Sequence, residues 1–145
     1  MSTHAAIPTG KLVHATPETA PRVEGRRSFL KYQDLGVTAA SSGRMRAQVM
    51  SATAGMTKPT GWHYHVCEGQ FVYALKGWVD LEFEDGQSIR LQAGESLYIS
   101  GGLRHNEIAT RTRWRSWRSP CPPTWARCRV IRPKDGRSGP ETAGA

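Results

Sequence analysis

The sequence predicts an all-β fold, and three observations carry that expectation. Apolar and charged residues alternate from Val79 to Glu84, with Val79, Leu81 and Phe83 on one face and Asp80, Glu82 and Glu84 on the other. Asp85-Gly86 follows at once, a strong hairpin signal, and Ile89 and Leu91 resume the apolar face in the returning strand. No stretch has a helical period, so short strands joined by short turns describe the chain. At 145 residues it is one domain with a single sizeable core.

Taken in order, residues 1–25 are rich in Pro, Thr and Ala, lack an apolar period and read as an N-terminal arm. His4 and His14 lie in it as lone histidines without spaced partners. Residues 26–110 hold the β-domain. RRSFLKYQDLG, from Arg26, predicts a short strand ending at a turn. Met45–Thr53 predicts a second, with Ala47, Val49 and Ser51 opposite Gln48 and Met50. GMTKPTG, from Gly55 to Gly61, has turn chemistry and delivers the chain to a strand carrying His63 and His65. Phe71–Leu75 is apolar on both faces, so its second face is expected to meet another sheet, the arm or a partner subunit. Ala93-Gly94-Glu95 makes a further turn, and Ser96–Ser100 is the strand that leads to His105.

Composition narrows the function classes. The net charge is +8, but residues 1–110 hold 11 Lys/Arg against 10 Asp/Glu, whereas residues 111–145 hold 9 against 2. The basic character belongs to the tail, which argues against a nucleic-acid-binding domain. No apolar run reaches the length of a membrane span, and the first residues lack the apolar core of a signal peptide, so a cytoplasmic protein without a membrane partner is expected. Three cysteines, none in C-x-x-C spacing, argue against a disulfide framework and a zinc ribbon. Cys67, beside the histidines, reads as a reduced and inert thiol.

His63 and His65 are two apart, so on a strand both imidazoles project from one face and form a pair of candidate metal ligands. Gln70 lies five residues on, and Gly77 closes the following apolar run. This stretch resembles the first motif of the cupins, G-x5-H-x-H-x3-4-E-x6-G, with Gln70 in the glutamate position. Gly94, Gly102 and His105 match the second motif, G-x5-P-x-G-x2-H-x3-N, in which Ser100 replaces the proline and Ala109 the asparagine. The resemblance implies a cupin (double-stranded β-helix, or jelly-roll) barrel of two facing sheets. It further implies a metal held inside by His63, His65 and His105, and pairing of two copies into a homodimer. Gln70 is either a fourth ligand or a hydrogen-bonding neighbour of a ligand or its water.

Three imidazoles and an amide leave the full charge of a divalent ion in place, which makes it a stronger Lewis acid than a carboxylate-bound ion. Zn2+ is the expected ion; iron, nickel and copper suit the same ligands. Tyr98 and Ser100 share one face of the strand before His105 and are the candidate catalytic hydrogen-bond donors if that face is inward. Glu68 and Glu107 flank the motifs and read as solvated loop carboxylates. Trp62, Tyr64, Phe71, Tyr73 and Trp78 supply core or a platform for a flat ligand. Over roughly residues 26–109 the chain is similar to the small single-domain cupins that include the aromatic polyketide cyclases of actinomycetes. That likeness implies a metal-dependent aldol cyclisation and aromatisation of a poly-β-ketone, a small-molecule substrate. Two other classes stay open: a three-histidine iron dioxygenase, and a non-catalytic metal- or small-molecule-binding cupin.

The tail, residues 111–145, breaks the pattern. RTRWRSWRSPCPPTWARCRV holds three of the five tryptophans and two of the three cysteines, a mixture typical of a GC-rich gene read out of frame. Trp and Cys codons both begin TG, so a shifted frame must place Leu, Met or Val before each of them. With GC-rich codons the stretch then reads VEVLEVTVPADMGTV, an alternating strand with a turn. The expectation is that residues from about 110 onward reflect a frameshift in the recorded gene, with Cys121 and Cys128 as its products.

Overall fold

The computed structural model describes residues 10–24, 28–111, 113–120 and 129–131. His4, Cys121, Trp125 and Cys128 lie outside the described residues. Strands dominate: β1 (Arg22–Glu24), β2 (Leu30–Asp34), β3 (Gln48–Ala52), β4 (Tyr64–Val66), β5 (Gly69–Lys76) and β6 (Trp78–Phe83). They are followed by β7 (Ser88–Gln92), β8 (Ser96–Ser100), β9 (His105–Thr110), β10 (Arg115–Pro120) and β11 (Arg129–Ile131). One helical turn, α1 (Val37–Ala40), interrupts them among the described residues.

All strand pairs are antiparallel and fall into three sheets. A six-stranded sheet has the order β1-β2-β3-β10-β5-β8, a three-stranded sheet the order β7-β6-β9, and β4 pairs with β11. The insertion of β10 between β3 and β5 is a jelly-roll connection, in which a late strand returns to lie between two early ones. The core lies between the two larger sheets. Met50, Ala52, Val72, Ala74, Ile99 and Trp114 come from the large sheet or the turn that enters it, and meet Val79, Leu81, Phe83 and Leu91 from the small one.

The alternation of β6 is realised as expected. Val79, Leu81 and Phe83 are buried, and Val79↔Leu91 and Leu81↔Ile89 set the hairpin register. The turn is closed by Gly86 N–H donating to the Phe83 carbonyl and by the Asp85 carboxylate accepting from Gln87 N–H. In β3 the buried face is that of Met50 and Ala52. At Gly77, φ is +76°, and an added Cβ would lie 3.3 Å from the Trp114 backbone. A side chain there would meet both a disfavoured dihedral and the start of β10.

The outward face of the large sheet carries an apolar patch. Phe71 packs edge-on against Trp117 with ring centroids 5.5 Å apart, while Tyr73, Leu75 and Tyr98 are exposed. Two segments beyond the expected β-domain pair with it: β1, from the arm, lies against β2, and β10, from the tail, lies between β3 and β5. No described helix is long and apolar enough to cross a membrane.

Candidate metal centre

His63, His65 and His105 converge from two sequence motifs because the backbone pairs those motifs directly. His63 N–H donates to the His105 carbonyl at 3.0 Å, and His105 N–H returns the bond to His63 at 2.9 Å. His65 follows on β4, two residues along and on the same side. Ring centroids are 4.4 Å apart for His63 and His105, 5.4 Å for His65 and His105, and 5.5 Å for His63 and His65. One ring nitrogen from each can be chosen so that all three lie within 4.8 Å of one another.

The donor chemistry fits a divalent metal ion. His63 Nδ1 lies 2.8 Å from the Gly61 carbonyl and His105 Nδ1 lies 3.0 Å from the Leu103 carbonyl. A carbonyl only accepts, so each Nδ1 carries the proton and each Nε2 keeps its lone pair for a metal. Burial, followed by the repulsion of His105, Arg118 and His63, lowers the His65 pKa to about 3. Burial also dominates at His105, whose pKa falls to about 4 although its bond to Leu103 opposes the shift. Both rings are therefore neutral at pH 7, the form that ligates.

Gln70 is buried on the inner face of β5, paired across the ladder with Ile99. Tyr98 and Ser100 are not brought to the histidines. The inward residues of β8 are on the face of Ile99, 4% exposed, so Tyr98, 54% exposed, and Ser100 face outward. The Tyr98 hydroxyl donates to the Glu68 carbonyl. Phe71 and Tyr73 share the outward face, and Trp78 lies under Arg90, which is itself held by Asp80. These rings are not a platform inside the barrel.

Glu68 is exposed, as expected, but Glu107 is not a solvated loop carboxylate. It is 8% exposed on β9 and accepts a 2.8 Å bond from Arg118, also 8% exposed, across the interior. The Arg118 charge and its hydrogen bond outweigh burial and hold the Glu107 carboxyl below its ordinary pKa. The two-residue spacing from His105 puts Glu107 on the same face of a strand, but its interior position depends on how β9 and β10 pair. Three buried side-chain atoms among the described residues have no hydrogen-bond partner, Trp114 Nε1, Ser116 Oγ and Arg118 Nε.

Residues 50–113 match the cupin domain family. The strands have the fold of a cupin barrel. No protein of curated function matches the chain in sequence. Among solved structures, the polyketide cyclase RemF from Streptomyces resistomycificus aligns with a TM-score of 0.66 at 18% identity, over 86% of this chain and 89% of that one. KdgF from Halomonas sp. aligns with a TM-score of 0.63 at 16% identity, over 81% of this chain and 98% of that one. The iron(II) form of HppE aligns with a TM-score of 0.60 at 14% identity over 75% of this chain, which spans only 60% of the length of HppE. At these identities the shared feature is the cupin fold.

Proposed function

We propose that this cupin is a metal-dependent polyketide cyclase that closes a ring in a poly-β-ketone by aldol condensation and loss of water. The observation that carries the reading is the cluster of three histidines inside the barrel, with Gln70 on the inner face where the family pattern has glutamate. A divalent ion, Zn2+ in this reading, supplies Lewis acidity toward a ketone oxygen when it is bound there. His63, His65 and His105 would hold it. Gln70 offers an amide, so the ligand set adds no negative charge to offset that of the ion.

In this reading the buried apolar core formed by Val72, Leu81, Phe83 and Ile99 would exclude water and restrict how a flexible chain folds, which would select the carbons that meet. The condensation joins an α-carbon to a carbonyl carbon, and dehydration then aromatises the ring. The fold shared with RemF supports this class, and so does the donor set. The outward apolar face around Tyr73, Leu75 and Tyr98 supports a homodimer, because a second copy would cover it.

Metal analysis combined with turnover tests the reading. Colourless, zinc-loaded protein that cyclises a polyketone without dioxygen is the expected result, and His63→Ala should lose most of the metal and all of the activity while staying folded. Activity restored only by ferrous iron in air would instead assign the oxygenase class.

A further inference from the structure

The three ligands are not held alike, and the difference points to a residue outside the ligand set. The Leu103 carbonyl that fixes His105 belongs to a tight turn closed by Leu103 N–H donating to the Ser100 carbonyl and Gly102 N–H donating to the His65 carbonyl. The Gly61 carbonyl that fixes His63 belongs to a residue at φ +82°, in the left-handed region, with nothing within 4 Å of where a Cβ would stand. Hydrogen bonds hold that peptide: Gly61 N–H donates to Asn106 Oδ1 at 3.0 Å, and the Gly61 carbonyl also lies 3.4 Å from the Thr60 hydroxyl. Asn106 is 7% exposed and sits between His105 and Glu107 on β9. The Thr60 hydroxyl also contacts its Oδ1, at 3.4 Å.

We infer that Asn106 is a positioning residue for the metal: it fixes the Gly61 peptide, whose carbonyl fixes the His63 ring and leaves Nε2 aimed at the ion. Because Asn106 adjoins His105, one strand both supplies a ligand and sets the orientation of the ligand from the other motif. The inference rests on the metal reading above, and it concerns binding rather than turnover. Groups that orient ligand imidazoles affect metal affinity by about 10–100-fold.

The test measures Zn2+ affinity by competition with a chromophoric chelator, and the absorption of the Co2+-loaded protein. Asn106→Ala should weaken Zn2+ binding by about tenfold and alter the Co2+ bands, whereas Asn106→Asp, which keeps the acceptor, should bind at least as tightly as the native chain. Thr110→Val is the structural control. Its hydroxyl, on the same strand β9, donates to the Trp78 carbonyl at 2.9 Å, so its loss loosens β9 but leaves the bond between Gly61 and Asn106. It should reduce stability with near-native affinity.

If Asn106→Ala fails to fold, Gly61→Ala reads the same link from its other end through the +82° dihedral and should also weaken binding. Native affinity in Asn106→Ala or Gly61→Ala, or equal losses in Asn106→Ala and Thr110→Val, would overturn the inference and leave the metal reading standing. A native chain that binds no Zn2+ or Co2+ would overturn both.

Discussion

Strands β5 and β10 lie side by side in the large sheet, yet they meet the interior in opposite ways. The inner residues of β5 are Gln70, Val72 and Ala74, and none leaves an orphaned polar atom. The interior face of β10 carries Ser116 and Arg118, with Trp114 immediately before it. Each of the three is at most 8% exposed, and each has a polar atom without a partner. β10 pairs with both neighbours, with a register shift against β5 between Arg115 and Ser116, and Ser116 faces Ala74 on β5 and Met50 on β3. Backbone pairing tolerates most side chains, whereas burial does not. The contrast is between a strand whose inner side chains suit the apolar core and one whose inner polar groups lack partners.

Four measurements break or sharpen that comparison, the largest first. If the frame is shifted, the intact mass of protein expressed from its own gene should disagree with this sequence after about residue 110; agreement would remove the frameshift. In protein of the present sequence, Arg118→Met should lower stability in urea by about 3–5 kcal/mol, because Glu107 stays buried without its counter-charge. The facing pair allows a reciprocal exchange. Ala74→Ser should cost about 1–3 kcal/mol by adding a buried hydroxyl to a satisfied strand. Ser116→Ala should raise stability by about 1 kcal/mol by removing one that has no partner; equal and opposite signs would show that the two strands differ only in these groups. The smallest effect belongs to the one polar residue of β5 with a proposed use. Gln70→Glu should tighten metal binding by up to about tenfold and slow cyclisation, since it adds negative charge beside the ion. Unchanged affinity and rate would separate Gln70 from the metal.

The histidine cluster was legible because period-two spacing and turn glycines are local properties of a sequence. His63 and His65 share a face in any strand, and the second motif sets the register of His105. Which face is inward is not local. Ser96–Ser100 carries apolar side chains on both sides, Leu97 and Ile99 on one and Tyr98 on the other, so alternation alone could not choose. The choice is made by the neighbour, because Ile99 sits opposite the buried Gln70. Glu107 was misread for a related reason. It becomes an interior residue only when β9 pairs with β6 through a register shift between Asp80 and Leu81 and when β10 brings Arg118 across from it. Asn106 was invisible, since its partner is a backbone N–H more than forty residues earlier.

The central place of β10 also bears on how the protein is made. Synthesis releases β3 and β5 well before residues 115–120, and these two strands have no common neighbour until then. During that interval β1-β2-β3 and β5-β8 each present an unpaired strand edge to the cell, the template on which chains aggregate. The last described strand of the large sheet is thus its keystone, and a ribosome that stalls before it leaves two open half-sheets instead of a shortened barrel.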